Sequence, residues 1–499
     1  MKPWLLPLLG GMKTAAAARV ALLTDVEGNW QYVRNVVKQS SCLQLLSEGT
    51  RDETLELRDN CMLVFGGDAG DKGDRTLRCY EQLVKLKKRY PDRVVLLVGN
   101  RDANKMRFTS ELHDTEMDLH AMAQEVLESP TWVPESKRTT LKTFLEEQVA
   151  IYDGHVMEDG DIETVNTKTN RLKWMLEHTM GSQGDFDRRR TELASRREVE
   201  NAKEIMDEDV VKSYIDSVKE GGVVREYLVH GSLAFVAHQT LFVHGGIING
   251  DEDASLSALG RVPNEPSKRF EAVSEWVDGL NAWYRDQIQE WIDQPNWNDD
   301  HSSRGGNGLL KYVVPNYTGS VVVGRHLLAS GMPTPLPDKI ASLLSESGIR
   351  RVIIGHTPHG NCPTVVKQPH QQRDTCRANA GHSVDAVLFE DVIMCDTSYS
   401  DAQAPDNRGS AASEVVVEPS GRVTVTGVLE NGQCIKYDPD EDPWVGRWLR
   451  DGTMVKARLV NKDAYRGEEL YLVFSVENGY TYTYHNRTVT QLRAIGLKN

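Results

Sequence analysis

Five short apolar runs in this chain each end in a glycine-flanked polar cluster, and no other feature constrains its fold as tightly. The clusters read T-D-V-E-G-N-W from Thr24, G-G-D-A-G-D-K-G-D from Gly66, G-N-R-D from Gly99, V-H-G-G from Val243 and I-G-H-T-P-H from Ile354. The runs (Val20 to Thr24, Met62 to Phe65, Val94 to Val98, Leu241 to Val243, Val352 to Ile354) are rich in β-branched and aliphatic residues. Such runs fit buried strands of a layered sheet. Amphipathic stretches at Trp30 to Leu46 and Thr76 to Arg89 separate the first three. Strand, helix, strand, helix predicts an α/β sheet covered by helices, with ligands gathered at the carboxyl ends of the strands.

Asp25, Glu27, Asp68, Asn100, His244 and His356 all fall at those ends. Each has an ordinary explanation when taken alone. An acidic residue at a strand end is commonly solvated or capping, an Asn before a helix is a common turn residue, and a lone buried His is usually packed and hydrogen-bonded. Five strand ends that all carry metal-ligand residue types are harder to explain separately than as one site. Oxygen and nitrogen donors in this number suit a pair of divalent cations. A two-metal site points to in-line hydrolytic attack on phosphorus by a metal-held hydroxide.

The remaining organisation follows from length and local pattern. At 499 residues the chain is long enough for two or three domains. Residues 107–239 are charged and rich in helix formers, with helical apolar spacing at Leu112 to Leu127, Arg171 to His178 and Val210 to Val218. They predict a helical insertion that divides a catalytic domain of residues 19–106 and 240–437. Pro266 to Ile292 is a further helical stretch, with Trp276, Trp283 and Trp291 as packing anchors. Ala386 to Cys395 and Glu414 to Val428 alternate as strands, and Asp438 to Pro443 reads as an acidic linker. Residues 444–499 then predict a small β-rich appendage with a hairpin at Asn478-Gly479. Residues 1–18 read as a disordered lead-in, with a targeting segment as the alternative.

A formal charge of −15 argues against non-specific nucleic-acid binding. It is no obstacle to a phosphorylated substrate, because bound metal ions would supply local positive charge. The seven cysteines are irregularly spaced and contain no C-x-x-C. Neither a disulfide framework nor a zinc finger is expected, and the reading is a reducing, cytoplasmic protein. No run of 18 apolar residues occurs, so no membrane span is expected.

The ordered series of clusters resembles the motif blocks of the calcineurin-like metallophosphoesterase superfamily. The nearer likeness is to serine/threonine phosphoprotein phosphatases and diadenosine tetraphosphatase-like phosphatases. The resemblance covers roughly residues 19–107 and 240–430. It implies a central β-sandwich flanked by helices and a dinuclear site. By that likeness Asp25, Glu27 and Asp68 would hold one ion, and Asp68, Asn100, His244 and His356 the other, with Asp68 bridging. W-N-D-D-H-S-S-R-G-G from Trp297 resembles the family segment that brings an Arg to the phosphate, with Arg304 as the matching residue. Asp396, in C-D-T-S, matches a structural turn residue.

Three positions depart from the pattern. Glu27 stands where the family has a His ligand, a harder donor that favours Mn²⁺ or Mg²⁺ over Fe or Zn. Lys72 stands where a bidentate Arg grips phosphate. Arg101 stands where a His, paired with the residue matching Asp71, protonates the leaving group. A guanidinium cannot donate a proton near neutral pH, although it can pair with Asp71 or steady a transferring phosphoryl group. General-acid help is typically worth about 10²–10⁴-fold, and a leaving group that departs as a stable anion needs it least. The expectation is therefore a metal-dependent hydrolase of phosphoanhydrides, such as nucleotide or diadenosine polyphosphates, or of phosphomonoesters with His359 as proton source. A phosphoprotein phosphatase is one alternative. The other is a catalytically impaired binding module that meets a protein partner through the insertion or the carboxyl-terminal segment.

Overall fold

Alternation within the apolar runs decides the layering. In chain order the first strands are β1 (Arg19–Leu23), β2 (Leu43–Leu46), β3 (Thr54–Leu57), β4 (Cys61–Phe65), β5 (Val94–Leu97) and β6 (Gly231–Ser232). There follow β7 (Ala234–Ala237), β8 (Thr240–Val243), β9 (Arg351–Ile354), β10 (Thr364–Lys367) and β11 (Asp391–Met394). The last are β12 (Ala412–Val417), β13 (Val423–Val428), β14 (Cys434–Tyr437), β15 (Met454–Val460), β16 (Leu470–Glu477) and β17 (Thr481–Thr488). This is a computed structural model, and it describes residues 17–119, 130, 133–153, 161–250, 253–315, 317–369, 387–397, 411–460, 468–477 and 481–498.

Ten strands form one sheet in the order β17-β16-β15-β14-β13-β12-β1-β4-β5-β6, and five form a second in the order β10-β11-β9-β8-β7. Val20 and Leu22 of β1, Met62 and Val64 of β4, and Leu97 of β5 share a buried cluster with Phe242, Ile353, Val365 and Ile393 of the second sheet. The alternate residues Ala21, Leu23, Leu63 and Phe65 instead pack with Trp30, Val33 and Leu83 of covering helices. Leu241, Val352 and Ile354 do the same with Trp276, Leu280 and Ile340. A side-chain period of two thus makes each strand serve both a sheet–sheet and a sheet–helix interface. The result is the α/β layered architecture expected, a sandwich of two sheets flanked by helices.

Strands β1, β4, β5 and β6 are mutually parallel, as are β8, β9 and β11. Their carboxyl ends lie on one side of the sandwich, which is what gathers the polar clusters.

Several expectations change. The helix from Trp30 stops at Gln39, and Leu43–Leu46 is a strand that pairs with β3. Ser40 turns to an extended backbone, and Glu414 on β12 takes both the Ser40 hydroxyl and the Ser41 N–H, which ends the helix by a tertiary contact. The helix Arg107–Glu111 ends at Leu112, where a helix had been expected to begin, and a 3₁₀ turn follows at Asp114–Met117. The rest of that expected helix, 120–129, lies outside the described residues. Arg171 to His178 belongs to a helix at Lys168–Trp174 that runs on as a π turn at Met175–Thr179. Val210 to Val218 lies in a helix at Asp207–Val218. Trp276, Trp283 and Trp291 are buried along the helix Val273–Asp293.

The carboxyl-terminal segment continues the large sheet, because β14 pairs with β15 through Cys434↔Val460 and Ile435↔Leu459. The acidic stretch before it is ordered. Asp442 caps Trp444 and Val445 and receives the Tyr471 hydroxyl, and Asp440 pairs with the fully buried Arg351 at 2.5 Å. The Asn478-Gly479 turn lies outside the described residues, but β16 and β17 pair on either side of it. Cys42 and Cys61 form a disulfide, against the expectation from spacing, because β4 and the entry to β2 bring their Cα atoms to 5.5 Å. No helix among the described residues is long and apolar enough to cross a membrane.

Candidate metal centre

Each candidate ligand is presented by the first turn after a parallel strand. Asp25 and Glu27 follow β1, Asp68 follows β4, Asn100 follows β5, His244 follows β8 and His356 follows β9. The backbone at these turns is unusual. Asp25, Glu27, Asp68, Asp71, Lys72 and His356 all have positive φ, between 44° and 78°. Non-glycine residues rarely adopt that region, and such departures concentrate where function requires a fixed geometry. Two glycines permit the close approach. A Cβ on Gly99 would lie 2.0 Å from Asp68 Oδ1, and one on Gly67 would lie 2.6 Å from His244 Nδ1.

Asp68, His244 and His356 present ligand atoms that all lie within 4.8 Å of one another. His244 Nδ1 donates to the Gly66 carbonyl at 2.7 Å, which leaves Nε2 facing Asp68 Oδ1 at 3.5 Å. A carbonyl on one ring nitrogen selects the tautomer in which the other can bind a cation. Asn100 Oδ1 is 3.4 Å from the same Nε2. Both ring nitrogens of His356 are buried and have no hydrogen-bond partner among the described residues. Buried polar atoms are almost always satisfied, so an imidazole left bare beside a carboxylate and a second imidazole fits one divalent cation.

The electrostatics point the same way. Burial opposes the Asp68 carboxylate, but His244 and Arg101 hold it well below the ordinary range. Burial also opposes charge on His244, yet Asp68 and Asp25 push it up to about 10. A pocket that forces a proton onto a buried imidazole attracts cations. Burial, His244 and Arg325 keep His356 neutral. Burial lifts Asp25 to about 7, helped by Asp68 and Glu27, and both its oxygens accept the His356 amide at 3.1 Å.

The other side of the site is arranged differently. Glu27 Oε1 lies 3.0 Å from Arg101 Nε and 2.9 Å from Lys72 Nζ. Arg101 Nε is also 3.7 Å from Asp68 Oδ2, and its Nη1 is 3.6 Å from Asp71 and donates to the Gly181 carbonyl at 3.1 Å. Asp71 is buried against Lys105 Nζ at 2.8 Å and the Ser182 hydroxyl at 2.9 Å. The helical insertion thus reaches the site through Gly181 and Ser182.

Two expected residues sit elsewhere. Arg304 Nη1 pairs with Glu111 at 2.9 Å and Ser110 at 2.6 Å, and its guanidinium stacks 4.4 Å from the Trp297 ring centre. Its charge is committed to a buried ion pair that Arg107 shares. His359 packs against Phe474 and Tyr482 of the carboxyl-terminal strands, with Nδ1 at 2.8 Å from Thr364 Oγ1 and Nε2 at 3.3 Å from the Gly331 carbonyl. The β-rich segment holds it.

Four residues that sequence reasoning passed over belong to the site. Asp102, fully buried, accepts the amides of Asp68, Ala69 and Gly99 and the Tyr80 hydroxyl at 2.6–3.0 Å. It ties the ends of β4 and β5 together. Lys105 lies four residues after Arg101, a helical spacing that was a readable signal. The positive charge of Arg325 helps to disfavour protonation of His356. Ser182 had no signal in the sequence.

No family model matches the chain, and no curated protein matches it. Solved structures do align with it. One is a cold-active protein-tyrosine phosphatase of a psychrophilic Shewanella species, at 14% identity over 84% of this chain and 80% of that one, with a TM-score of 0.38. Another is a protein serine/threonine phosphatase from Saccharomyces cerevisiae, at 12% identity, 83% and 80% coverage and a TM-score of 0.33. A metallophosphoesterase from Sphaerobacter thermophilus aligns at 11% identity, 83% and 88% coverage and a TM-score of 0.28. Likenesses at these identities and TM-scores carry no weight; the chemistry rests on this chain's own residues.

Proposed function

We propose that this chain is a metal-dependent phosphoester hydrolase of the calcineurin-like kind that prefers phosphoanhydrides. The observation that carries the reading is the convergence of Asp68, His244 and His356 from both sheets, with both His356 ring nitrogens buried and without a hydrogen-bond partner among the described residues. Asp68, His244, His356 and Asn100 would hold the ion. Mn²⁺ or Mg²⁺ is the favoured occupant, with Fe and Zn to be compared against them. A bound divalent cation would supply Lewis-acid polarisation and an activated water. The protein's part would be to orient the phosphoryl group: Arg101, 3.7 Å from Asp68 Oδ2, would steady its oxygens, and Arg325, whose charge acts on His356, would assist.

The preference for anhydrides rests on the missing proton donor. Arg101 stays charged, because Glu27, Asp68 and Asp71 outweigh its burial and raise its pKa. His359 is engaged by Thr364 and Gly331. A nucleotide-type polyphosphate departs as a stable anion and needs no acid, whereas a serine alkoxide does. Contact of the insertion with Arg101 and Asp71 favours a small phosphorylated molecule over a broad protein surface. The capture of Glu27 by Arg101 and Lys72 favours a second reading, a binding module with impaired catalysis.

Hydrolysis of p-nitrophenyl phosphate, diadenosine polyphosphates and phosphopeptides, each with Mn²⁺, Mg²⁺, Zn²⁺ or Fe²⁺, separates these readings. Diadenosine polyphosphates should be cleaved fastest, and Asp68→Asn should abolish turnover. Equal rates on phosphopeptides would defeat the anhydride preference. Inactivity with every metal, in protein that binds none, would leave only the binding module.

A further inference from the structure

The two oxygens of Asp68 face different partners. Oδ1 accepts the Arg101 backbone amide at 3.0 Å and lies 3.5 Å from His244 Nε2, its nearest side chain in the histidine cluster, whereas Oδ2 lies 3.7 Å from the Arg101 guanidinium at Nε. In a dinuclear site a bridging carboxylate has a metal on each side, the ions about 3.5–4 Å apart. Here a guanidinium lies on the second side. It also takes Glu27 at 3.0 Å, the carboxylate that the second ion would need, and Lys72 takes the same oxygen at 2.9 Å.

We infer that the site is mononuclear, with the Arg101 guanidinium as a built-in substitute for the second cation. The inference rests on the metal-dependent reading above and changes its stoichiometry.

Three observations support it. First, Arg101 is held in place: its side chain is 14% exposed, and Glu27, Asp68, Asp71 and the Gly181 carbonyl fix the guanidinium from several directions. An ion within about 2.1 Å of both Glu27 and Asp68 Oδ2 would meet that guanidinium.

Second, the charges balance around one ion. Asp25, Glu27, Asp68, Asp71 and Asp102 bring five formal negative charges, and Lys72, Arg101, Lys105 and Arg325 bring four positive ones. A single dication reverses the net charge by a small margin and leaves the site attractive to a phosphate dianion. Two dications would have to enter beside four protein cations with one formal negative charge remaining to receive them.

Third, two of the three departures on this side, Glu27 and Arg101, make contact. Glu27 and Arg101 form an ion pair, so the acidic change at one position is answered by the basic change at the other. Each charge offsets part of the desolvation cost of burying the other. Held by Glu27, the Arg101 guanidinium is a fixed cationic group 3.7 Å from Asp68 Oδ2. A guanidinium there can hydrogen-bond a phosphoryl oxygen directly and needs no metal supply of its own.

The test is metal stoichiometry and electron paramagnetic resonance of the full chain after loading with Mn²⁺ and desalting. One Mn²⁺ per chain, with the six-line spectrum of an isolated ion, is expected. Two ions with a spin-coupled spectrum would overturn the inference and leave the hydrolase reading intact. Zero ions would overturn both. Arg101→Gln keeps the side-chain length and removes the charge, and Arg101→His supplies a ligand. At least one of these variants, with unchanged circular dichroism, should take up a second ion and show the coupled spectrum. If both fold and both stay at one ion, Arg101 is not what excludes the second. Asp68→Asn should lose the single ion of the wild type.

Discussion

The two sides of the strand-end site are built from the same kinds of turn, yet they satisfy themselves differently. On the side of β8 and β9, Asp68, His244 and His356 bring one ligand atom each within 4.8 Å of one another, and neither His356 ring nitrogen has a hydrogen-bond partner among the described residues. On the side of β1, Glu27 is already neutralised by Arg101 and Lys72, and Asp71 by Lys105. Residue type alone does not make a metal site. A carboxylate at a strand end binds an ion only if no side chain has reached it first, and that depends on what the neighbouring turn carries.

Substitutions on the two sides should therefore differ most in metal content. His356→Ala is expected to remove the ion and lower turnover by more than about 10²-fold. Glu27→Gln should leave metal content unchanged. Elemental analysis of both variants checks the contrast, and equal metal loss from the two would erase it. Asp102→Ala, at the seam between β4 and β5, strips the partner from three buried amides and the Tyr80 hydroxyl. Unmet buried donors cost about 1–3 kcal/mol each. Chemical denaturation should show a loss of at least about 3 kcal/mol, with weaker metal binding in any protein that still folds.

Arg325→Ala tests the phosphate contact proposed for that residue. It should raise KM about tenfold, the scale of one charge-assisted contact, with metal content unchanged. An unaltered KM would remove Arg325 from the site. The smallest effect on turnover is expected from Arg304→Ala, whose consequence should be stability. Burial opposes the Glu111 carboxylate, but Arg107 and Arg304 hold its pKa below the ordinary value. A depressed carboxyl stabilises the fold above its unfolded pKa, and that contribution is lost as pH falls through the folded pKa. Arg304→Ala should thus cost about 2 kcal/mol at neutral pH and less in acid. A pH series of urea midpoints gives the sign. A large drop in kcat with stability intact would return Arg304 to the phosphate.

Much of the scaffold was legible because its signals are local. Each buried run read as a strand is one, since β-branched runs bounded by glycine have few other uses. The helix at Thr76–Arg89 follows its apolar spacing from end to end. What misled were places where a distant residue decides the local outcome. Glu414 ends the helix at Gln39 from the far strand β12. Val460 and Leu459 carry the large sheet past the acidic stretch that looked like a linker. Cys42 and Cys61 are spaced like unrelated cysteines, and strand placement brings them together.

The site divides along the same line. Sequence alone determined which residues stand at strand ends, because a strand's carboxyl end and the turn after it are written in consecutive residues. It also showed that Glu27, Lys72 and Arg101 depart from the usual pattern. Only the tertiary structure decided that these three departures meet one another, that Arg304 is spent on Glu111, and that His359 faces the carboxyl-terminal strands. The reason is physical: charge pairing and proton donation act over a few ångströms in space, and packing alone sets which residues come that close.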